Sequence, residues 1–263
     1  MKIASFNVNG IRARKLHLRK WLNESHPDVV LLQEIKCLDM GFPYQDFEDL
    51  GYNIAIHGQK SFNGVAIFSK FPLEDVTRGL PGDNNDMQAR WIEATVSSDP
   101  PIRVCCLYLP NGNPAPGPKY DYKLAWMERL IRHATDILAL EEASLLAGDF
   151  NVIPQSEDAR HPEDWDEDAL FRPETRRLWH QLVNLGFYDA FRLRCTDSEQ
   201  YTFWDFQAGA WQRNDGIRID HFLLTPQCAD LLADCAIDRD VRGWEKPSDH
   251  VPIWVEINPA SRV

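Results

Sequence analysis

Short apolar runs of strand length alternate with amphipathic helical patterns along most of the chain. The segment 28–33 contains the continuous apolar run VVLL, which is typical of a strand buried on both faces. The segment 120–140 carries apolar side chains at helical spacing and predicts the longest helix. The spacing of apolar residues, together with the turn-forming residues that flank each run, predicts strands over 2–7, 28–33, 52–56, 64–69, 89–96, 102–109, 144–147, 201–205, 218–224 and 251–257. The same features predict helices over 15–25, 120–140 and 174–184.

The order of these elements favours an α/β fold with mixed sheets. Four predicted strands follow one another between residues 52 and 109 with little helix between them, which indicates an antiparallel meander. Two proline-rich or acidic loops, 110–118 and 154–173, interrupt the later elements. Because every sheet face needs a covering layer, two packed sheets with helices outside fit this order best. No linker splits the chain, so we expect one domain over residues 1–263.

Composition excludes several classes of protein. The chain has 263 residues, of which 44% are hydrophobic and 26% charged, as in ordinary globular proteins and unlike disordered or collagen-like chains. No apolar run approaches the roughly 20 residues of a membrane span, and the N-terminus lacks the apolar stretch of a signal peptide. We therefore expect a cytoplasmic protein without a membrane partner, by default a monomer. Six cysteines without a paired spacing predict buried free thiols.

The charge is strongly negative and unevenly distributed. The chain carries 40 acidic and 28 basic residues, a formal charge of −12, which disfavours nonspecific binding to nucleic acid. Residues 1–20 nevertheless contain six basic side chains and no acid, whereas residues 157–168 contain seven acids and one arginine. Each segment is most simply a solvated face. A local basic patch on an acidic body can still guide a polyanion to one site.

Polar residues stand where apolar strands end or begin, and they carry the candidate chemistry. The residues concerned are Asn7, Gln33–Glu34, Asp149–Asn151, Asp220–His221 and Asp249–His250. Carboxylates beside buried strands are costly unless they are paired, hydrogen-bonded or bound to metal. Oxygen ligands without a cysteine cluster suit Mg²⁺, Mn²⁺ or Ca²⁺, and a neighbouring Asp and His can hold a proton. This combination fits the hydrolysis of a phosphate ester.

Six segments in one order give a resemblance to a known family. SFNVNGIRAR, LLQEIK, YLPNG, GDFNV, RIDHFLL and SDHVP resemble the exonuclease–endonuclease–phosphatase superfamily, and within it the apurinic/apyrimidinic (AP) endonucleases of the exonuclease III type. The resemblance extends from Met1 to about Ile257. It implies a four-layered α/β sandwich with two packed sheets. It also implies a Mg²⁺-dependent DNA repair nuclease, with Mn²⁺ as a substitute. Such an enzyme cleaves duplex DNA 5′ to abasic sites and degrades or trims 3′ ends.

The same resemblance assigns the reaction centre. It implies a metal site formed by Asn7, Glu34, Asp149, Asn151, Asp249 and His250. It implies catalytic roles for Tyr108, Asp149, Asn151, Asp220 and His250. In this assignment Asp149 activates or positions the attacking water and Asp220 pairs with His250. How the remaining roles divide between Asp149, His250 and Tyr108 is left open by the motifs.

The resemblance also assigns contacts to DNA. These residues are Arg90, Asn111, Lys119, Phe203, Trp204 and Ile217. Arg90 matches a phosphate-contacting arginine, while Phe203, Trp204 and Ile217 fall where the family forms its pocket for a base-less sugar. Trp204 fits a core position equally well. Lys119 fits a solvated loop lysine equally well.

Two other functions are compatible with these residues. A phosphoesterase of the same superfamily acting on phosphoinositides, sphingomyelin or RNA would share the fold and the core chemistry. A noncatalytic DNA- or protein-binding module on the same scaffold is the second alternative. Retention of the whole catalytic set in this sequence argues against the second.

Overall fold

A computed structural model describes residues 1–258 of the chain. Its strands are β1 (Lys2–Asn7), β2 (Val29–Gln33), β3 (Asn53–His57), β4 (Val65–Ser69), β5 (Leu73–Arg78), β6 (Trp91–Val96), β7 (Ile102–Tyr108), β8 (Ser144–Asp149), β9 (Tyr188–Asp189), β10 (Asp220–Leu224), β11 (Leu232–Ile237) and β12 (Ile253–Ile257). Its α-helices are α1 (Ile11–Ser25), α2 (Pro118–Ala139), α3 (Pro173–Val183), α4 (Ala190–Arg194), α5 (Ala210–Arg213) and α6 (Pro226–Ala229). Short 3-10 turns occupy parts of the loops.

The strands form two six-stranded mixed sheets. One has the order β11-β12-β1-β2-β4-β3 and the other β5-β6-β7-β8-β10-β9. Each sheet contains one parallel pair, β1–β2 or β7–β8, whereas the other pairings are antiparallel. The long helices α1 and α2 connect the two parallel pairs, as a parallel connection requires. The predicted mixed α/β architecture is confirmed.

The two sheets pack face to face and carry helices on their outer faces. In β2, Val29 and Leu31 face the core between the sheets, while Val30 and Leu32 face the core beneath α1. The central strands are therefore buried on both sides, which explains the continuous apolar run in β2. The core outside the second sheet is formed with α2 and α3. The result is a helix–sheet–sheet–helix sandwich, as the resemblance implied.

Several predicted elements differ from those observed. The strand predicted over 201–205 is wrong: only Phe203 forms isolated bridges, to Ile217 and His250. The neighbouring Tyr201 and Trp204 turn into the core, so their aromatic character reflects burial in a loop rather than a ladder of hydrogen bonds. Helix α1 begins at Ile11 rather than residue 15. Strands β5 and β11 are edge strands and were not predicted. The exposed polar residues of β5 obscure a period-2 pattern, and β11 is short, with most of its residues only partly buried.

The acidic segment 154–173 is largely loop, as predicted, but not all of its acidic side chains face solvent. Two 3-10 turns, Ser156–Asp158 and Pro162–Trp165, punctuate it. Asp158 is fully buried and forms ion pairs with Arg192 and Arg218, each 2.6 Å from its Oδ1. The segment is therefore anchored by buried charges to α4 and to the residue two positions before β10.

Predictions from composition also have structural counterparts. The six cysteines are free thiols, and all but Cys195 are buried. Within residues 1–258, none of the helices combines the length and the apolar character that crossing a membrane requires.

Candidate active site

The carboxyl ends of the two parallel strand pairs meet at one edge of the sandwich. Asn7 ends β1 and Glu34 follows β2, while Asp149 ends β8 beside Tyr108 of β7. The Nδ2 of Asn7 donates to Glu34 Oε1 and to Asp149 Oδ2, both at 2.9 Å. One amide thus connects a carboxylate of the first sheet to a carboxylate of the second. As predicted, the polar residues at the ends of these strands lie close together in the structure.

His250 lies between two aspartates at this edge. Its Nδ1 is 2.8 Å from Asp220 Oδ2, and its Nε2 is 3.5 Å from Asp149 Oδ2. Burial lowers the pKa of His250, but the charges of Asp220 and Asp149 outweigh that effect and raise its pKa above the usual value. The imidazole is therefore a cation at neutral pH that donates from both nitrogens.

Asp149 is the most connected carboxylate of the cluster. Burial raises its pKa, with the nearby charges of Asp220 and Glu34 acting in the same direction and His250 opposing them. Its Oδ1 accepts from the backbone N–H of Asn151 at 2.9 Å. A fixed carboxylate with a raised pKa is better suited to accept a proton than an ordinary aspartate.

Two asparagines from different loops pair beside Asp149. Asn151 adopts a left-handed backbone conformation with φ 48°, which turns the chain sharply after β8. Its Nδ2 donates to the carbonyl of Leu109 at 2.9 Å, and its Oδ1 accepts from Nδ2 of Asn111 at 3.1 Å. The YLPN and GDFN motifs are therefore in direct contact.

Tyr108 and Arg90 form the next part of the rim. Burial raises the pKa of Tyr108 well above its usual value, and the negative charges of Glu34 and Asp149 add to the rise. The phenol therefore keeps its proton and is a hydrogen-bond donor. Arg90 donates to the carbonyl of Tyr108 at 3.2 Å and stacks with its guanidinium 4.9 Å from the centre of the tyrosine ring.

Two carboxylates could hold a metal ion here, with His250 beside them. Ligand atoms of Glu34, Asp149 and His250 all lie within 4.8 Å of one another. Hard carboxylate oxygens dominate the set, and the buried Oδ1 of Asp220 beside it has no hydrogen-bond partner. A divalent cation with oxygen preference fits this surplus of acceptors.

The remaining predicted ligands are arranged differently. Asn7 presents its Nδ2 to the carboxylates, while its Oδ1 accepts from the backbone N–H of Asn9 at 3.0 Å. Asp249 lies outside the three-residue group, and its Oδ1 accepts from Nδ2 of Asn9 at 2.9 Å. The oxygen of the Asn151 side chain faces Asn111. The assignment of these three side chains as metal ligands stays a prediction.

Lys36 was missed by sequence reasoning. Its Nζ lies 2.7 Å from Glu34 Oε2 and 2.5 Å from Oδ1 of Asn9. It thus places a second positive charge beside the carboxylates. It could have been recognised from its position in the motif LLQEIK, two residues after Glu34 and just beyond the end of β2.

An aromatic pocket adjoins the carboxylate cluster. The ring of Phe203 lies 5.0 Å from the ring of His250, at an angle of 66°. Phe203 and the buried Ile217 line a cavity of about 240 Å³ with Trp165. Trp165 comes from the acidic segment and was not predicted. The pocket and the charged cluster therefore share a wall at Phe203.

Two predicted DNA contacts have contrasting surroundings. Trp204 has no exposed surface, and its ring lies 5.0 Å from that of Trp211. It cannot face a sugar without leaving the core, so the assignment to the pocket wall is wrong and the core alternative holds. Lys119 is exposed at the second residue of α2, near the loop that carries Asn111.

Known proteins resemble the chain over almost its whole length. The sequence profile of the endonuclease/exonuclease/phosphatase family matches residues 4–250. Exodeoxyribonuclease III of Haemophilus influenzae is 36% identical over 268 residues, covering 97% of this chain and 99% of the relative. An AP endonuclease from Archaeoglobus fulgidus superposes with a TM-score of 0.93 and 37% identity over 98% of this chain and 99% of its own.

A further solved structure was determined with nucleic acid. It is a 3′ phosphatase from Neisseria bound to a product DNA hairpin, with a TM-score of 0.94 and 35% identity over 98% of this chain and 99% of its own. The strand-end carboxylates, the buried histidine and these full-length similarities lead to one conclusion. This chain is a member of the endonuclease/exonuclease/phosphatase family.

Proposed function

We propose that this protein is a Mg²⁺-dependent nuclease that hydrolyses phosphodiester bonds of duplex DNA. It cleaves 5′ to abasic sites and removes nucleotides or blocking groups from 3′ ends. The observation that carries the proposal is the placement of Asp149 against His250 and Glu34, next to an aromatic pocket. Relatives named exodeoxyribonuclease III and AP endonuclease, alike over the full length, support the choice of DNA.

The carboxylate cluster is suited to a divalent cation and to activation of water. Glu34 and Asp149 would hold the cation with His250 nearby, and the cation would supply charge neutralisation for the phosphate. Asp149, held in place by the Nδ2 of Asn7 and the N–H of Asn151, accepts the proton of the attacking water. The N–H of Asn151 donates to one oxygen of the Asp149 carboxylate and so holds the carboxylate in one orientation.

Hydrogen-bond donors face the position where phosphate charge develops. Asp220 holds the Nδ1 side of the His250 cation, and Nε2 lies 3.5 Å from Asp149 Oδ2, so Nε2 would donate to a phosphate oxygen bound beside Asp149. The phenol of Tyr108 is a second donor, and Arg90 beside it adds positive charge. Fixed donors of this kind stabilise a transition state more than a ground state.

The pocket beside His250 accounts for the choice of lesion. A deoxyribose without its base is compact and largely apolar on one face, which suits the ring of Phe203 and the side chain of Ile217. A normal nucleotide in a duplex would have to leave its stack first, at a cost of a few kcal/mol. An abasic nucleotide has no base to unstack.

A labelled duplex with one abasic-site analogue tests this function. We expect incision 5′ to the lesion in Mg²⁺, none in EDTA, and slower loss of nucleotides from the 3′ ends of an undamaged blunt duplex. Asp149→Asn and His250→Asn should abolish incision while the circular dichroism spectrum stays unchanged. His180→Asn, an exposed histidine on α3, is the matched control and should retain full activity.

Two results would reject the proposal. The first is full activity of the Asp149 and His250 variants. The second is a folded protein that leaves both duplexes intact in Mg²⁺ and Mn²⁺. RNA, a phosphoinositide and sphingomyelin serve as comparison substrates, because cleavage of one of these alone would identify a different phosphoesterase of the family.

A further inference from the structure

Lys123 is a fully buried lysine on the core-facing side of α2. Its relative exposure is 0%, and it shares the buried face of the helix with Tyr120, Met127 and Leu130. Lysine is among the residues least often buried in this way. The helical spacing of 120, 123, 127 and 130 makes it a charged interruption of an apolar stripe. A buried charge in such a position calls for a specific partner.

The partners of Lys123 are backbone carbonyls of two active-site residues. Its Nζ donates to the carbonyl oxygen of Asn111 at 3.0 Å and to that of Asn151 at 2.5 Å. Asn111 belongs to the loop after β7, and Asn151 belongs to the loop after β8. One ammonium group therefore binds two loops that leave neighbouring parallel strands. The amine can donate to both carbonyls in either protonation state, because each state keeps at least two N–H bonds.

The loop that carries Asn111 is shaped around the lysine stem. Gly112 has φ +94°, and a Cβ at this position would lie 2.7 Å from Cδ of Lys123 and 3.1 Å from Cβ of Ala169. Only glycine combines that backbone conformation with so close an approach. The aliphatic part of Lys123 is thus the surface on which this loop rests.

A lysine at this position carries a desolvation penalty that a space-filling apolar side chain would not have. Burial lowers the pKa of Lys123 to about 7, while Asp168 and Asp149 oppose the effect through their negative charges. A methionine would fill a similar volume without the desolvation penalty. What methionine cannot supply is a donor for the two carbonyls.

We propose that Lys123 is a positioning residue that fixes the Asn111 and Asn151 loops relative to Asp149. The coupling follows from direct contacts: the two asparagine side chains are 3.1 Å apart, and the Asn151 N–H holds Asp149 Oδ1 at 2.9 Å. A shift of either carbonyl moves this chain of contacts as a unit. The inference rests on the proposed function for its catalytic readout, whereas amide hydrogen exchange tests it without any substrate.

The first test is steady-state cleavage of abasic duplex DNA by Lys123→Met. We expect kcat/KM to fall about 100-fold, mostly through kcat, since displacing a catalytic group by about 1 Å costs a factor of that order. Lys123→Arg, which keeps a charged donor, should recover most of the loss. Met127→Ala, a cavity variant four residues along the same buried face, is the control for destabilisation and should keep kcat/KM within threefold.

A double-mutant cycle tests whether Lys123 acts through the asparagine pair. Asn111→Ala in the Lys123→Met background should add far less than it does in the wild-type protein, because both changes disrupt one unit. Additive losses would overturn the proposed route. Should Lys123→Met not fold, Gly112→Ala disturbs the same contact from the loop side and is expected to lower kcat similarly.

Amide hydrogen exchange gives a readout that is independent of any substrate. Lys123→Met should speed exchange in residues 109–113 and 149–153 and leave strands β6 and β7 protected as before. Met127→Ala should not show this local pattern. Unchanged exchange in both loops together with kcat/KM within threefold of wild type would overturn the proposal. Faster loop exchange in Lys123→Met, when the wild-type protein itself cleaves no DNA, would support the positioning role and reject the proposed function instead.

Discussion

Asp149 has its chemistry set by one neighbour in its own loop, Asn151, and by two that are distant in the sequence, Asn7 and His250. Asn7 donates to one of its oxygens, Asn151 to the other, and His250 approaches within 3.5 Å. Burial would make such a carboxylate costly if it were alone. Here the cost is offset by a cation and two amide donors, so the group is held in one orientation. The properties of the residue therefore belong to the cluster and not to the aspartate by itself.

Asp220→Asn isolates the charge that stabilises the His250 cation. The substitution keeps the shape but removes the negative charge 2.8 Å from Nδ1, so the pKa of His250 falls and the donor to phosphate weakens. We expect kcat on abasic duplex DNA to fall by at least about 100-fold, in the range typical of an acid–base group. Asp230→Asn, an exposed aspartate, is the matched control. Activity within threefold of wild type in Asp220→Asn would contradict the role of this pair.

At the scale of elements, the parallel pair β7–β8 places Tyr108 beside Asp149. Their register joins Leu107 to Gly148 and Tyr108 to Asp149. Gly148 has φ +150°, and a Cβ there would lie 1.9 Å from the carbonyl oxygen of Leu107. The glycine in GDFN thus allows the two strands to approach where they deliver the reactive residues.

Gly148→Ala should disrupt this strand pair. The clash is with backbone, which cannot rotate away, so we expect a loss of about 3 kcal/mol or more in the free energy of unfolding. Urea denaturation measures it. Gly243→Ala is the matched control, because the nearest atom to its Cβ is 3.8 Å away and the change should stay within about 1 kcal/mol. Equal stability of the two variants would show that the strands can separate at no cost.

At the scale of the whole molecule, the charge of −12 must be reconciled with a polyanionic substrate. The basic N-terminal segment does not provide a free patch. Lys15, Arg19 and Lys20 pair with acids, whereas Arg12 and Arg14 donate to backbone carbonyls. The cations beside the site include Lys36, which pairs with Glu34, together with Arg90 and Lys119. Binding to DNA should therefore depend on a small number of local contacts.

The salt dependence of DNA binding measures that number. About three phosphate contacts predict a slope near −3 for log K against log salt concentration, since each contact contributes roughly −0.9. Fluorescence anisotropy with abasic duplex in EDTA, between 50 and 200 mM salt, would determine it. Lys119→Gln should reduce the slope by about one. Lys70→Gln, at the opposite edge of the first sheet, should not change it. Equal slopes for both variants would remove Lys119 from the interface.

The pattern of apolar and polar residues was sufficient to predict those helices and strands that are buried in the same way along their whole length. The run VVLL in β2 and the long stripe of α2 are buried by the same neighbours along their length, so composition and period predict them. Edge strands such as β5 were missed because half of their surface faces water and carries no apolar signal. Motifs at strand ends likewise indicated Glu34, Asp149, Asp220 and His250, because a charged or ionisable residue directly before or after a buried apolar strand stands out in the sequence.

The sequence by itself determined the fold class, the family resemblance and the residue types available for chemistry. Tertiary structure alone decided which atoms of these residues meet. It turned the amide nitrogen of Asn7 toward two carboxylates, buried Trp204 in the core and brought Trp165 to the pocket. It also placed Lys123 beneath two loops. The reason is physical: periodicity records which face of an element is buried, whereas contacts between distant loops depend on how the two sheets and their connections pack.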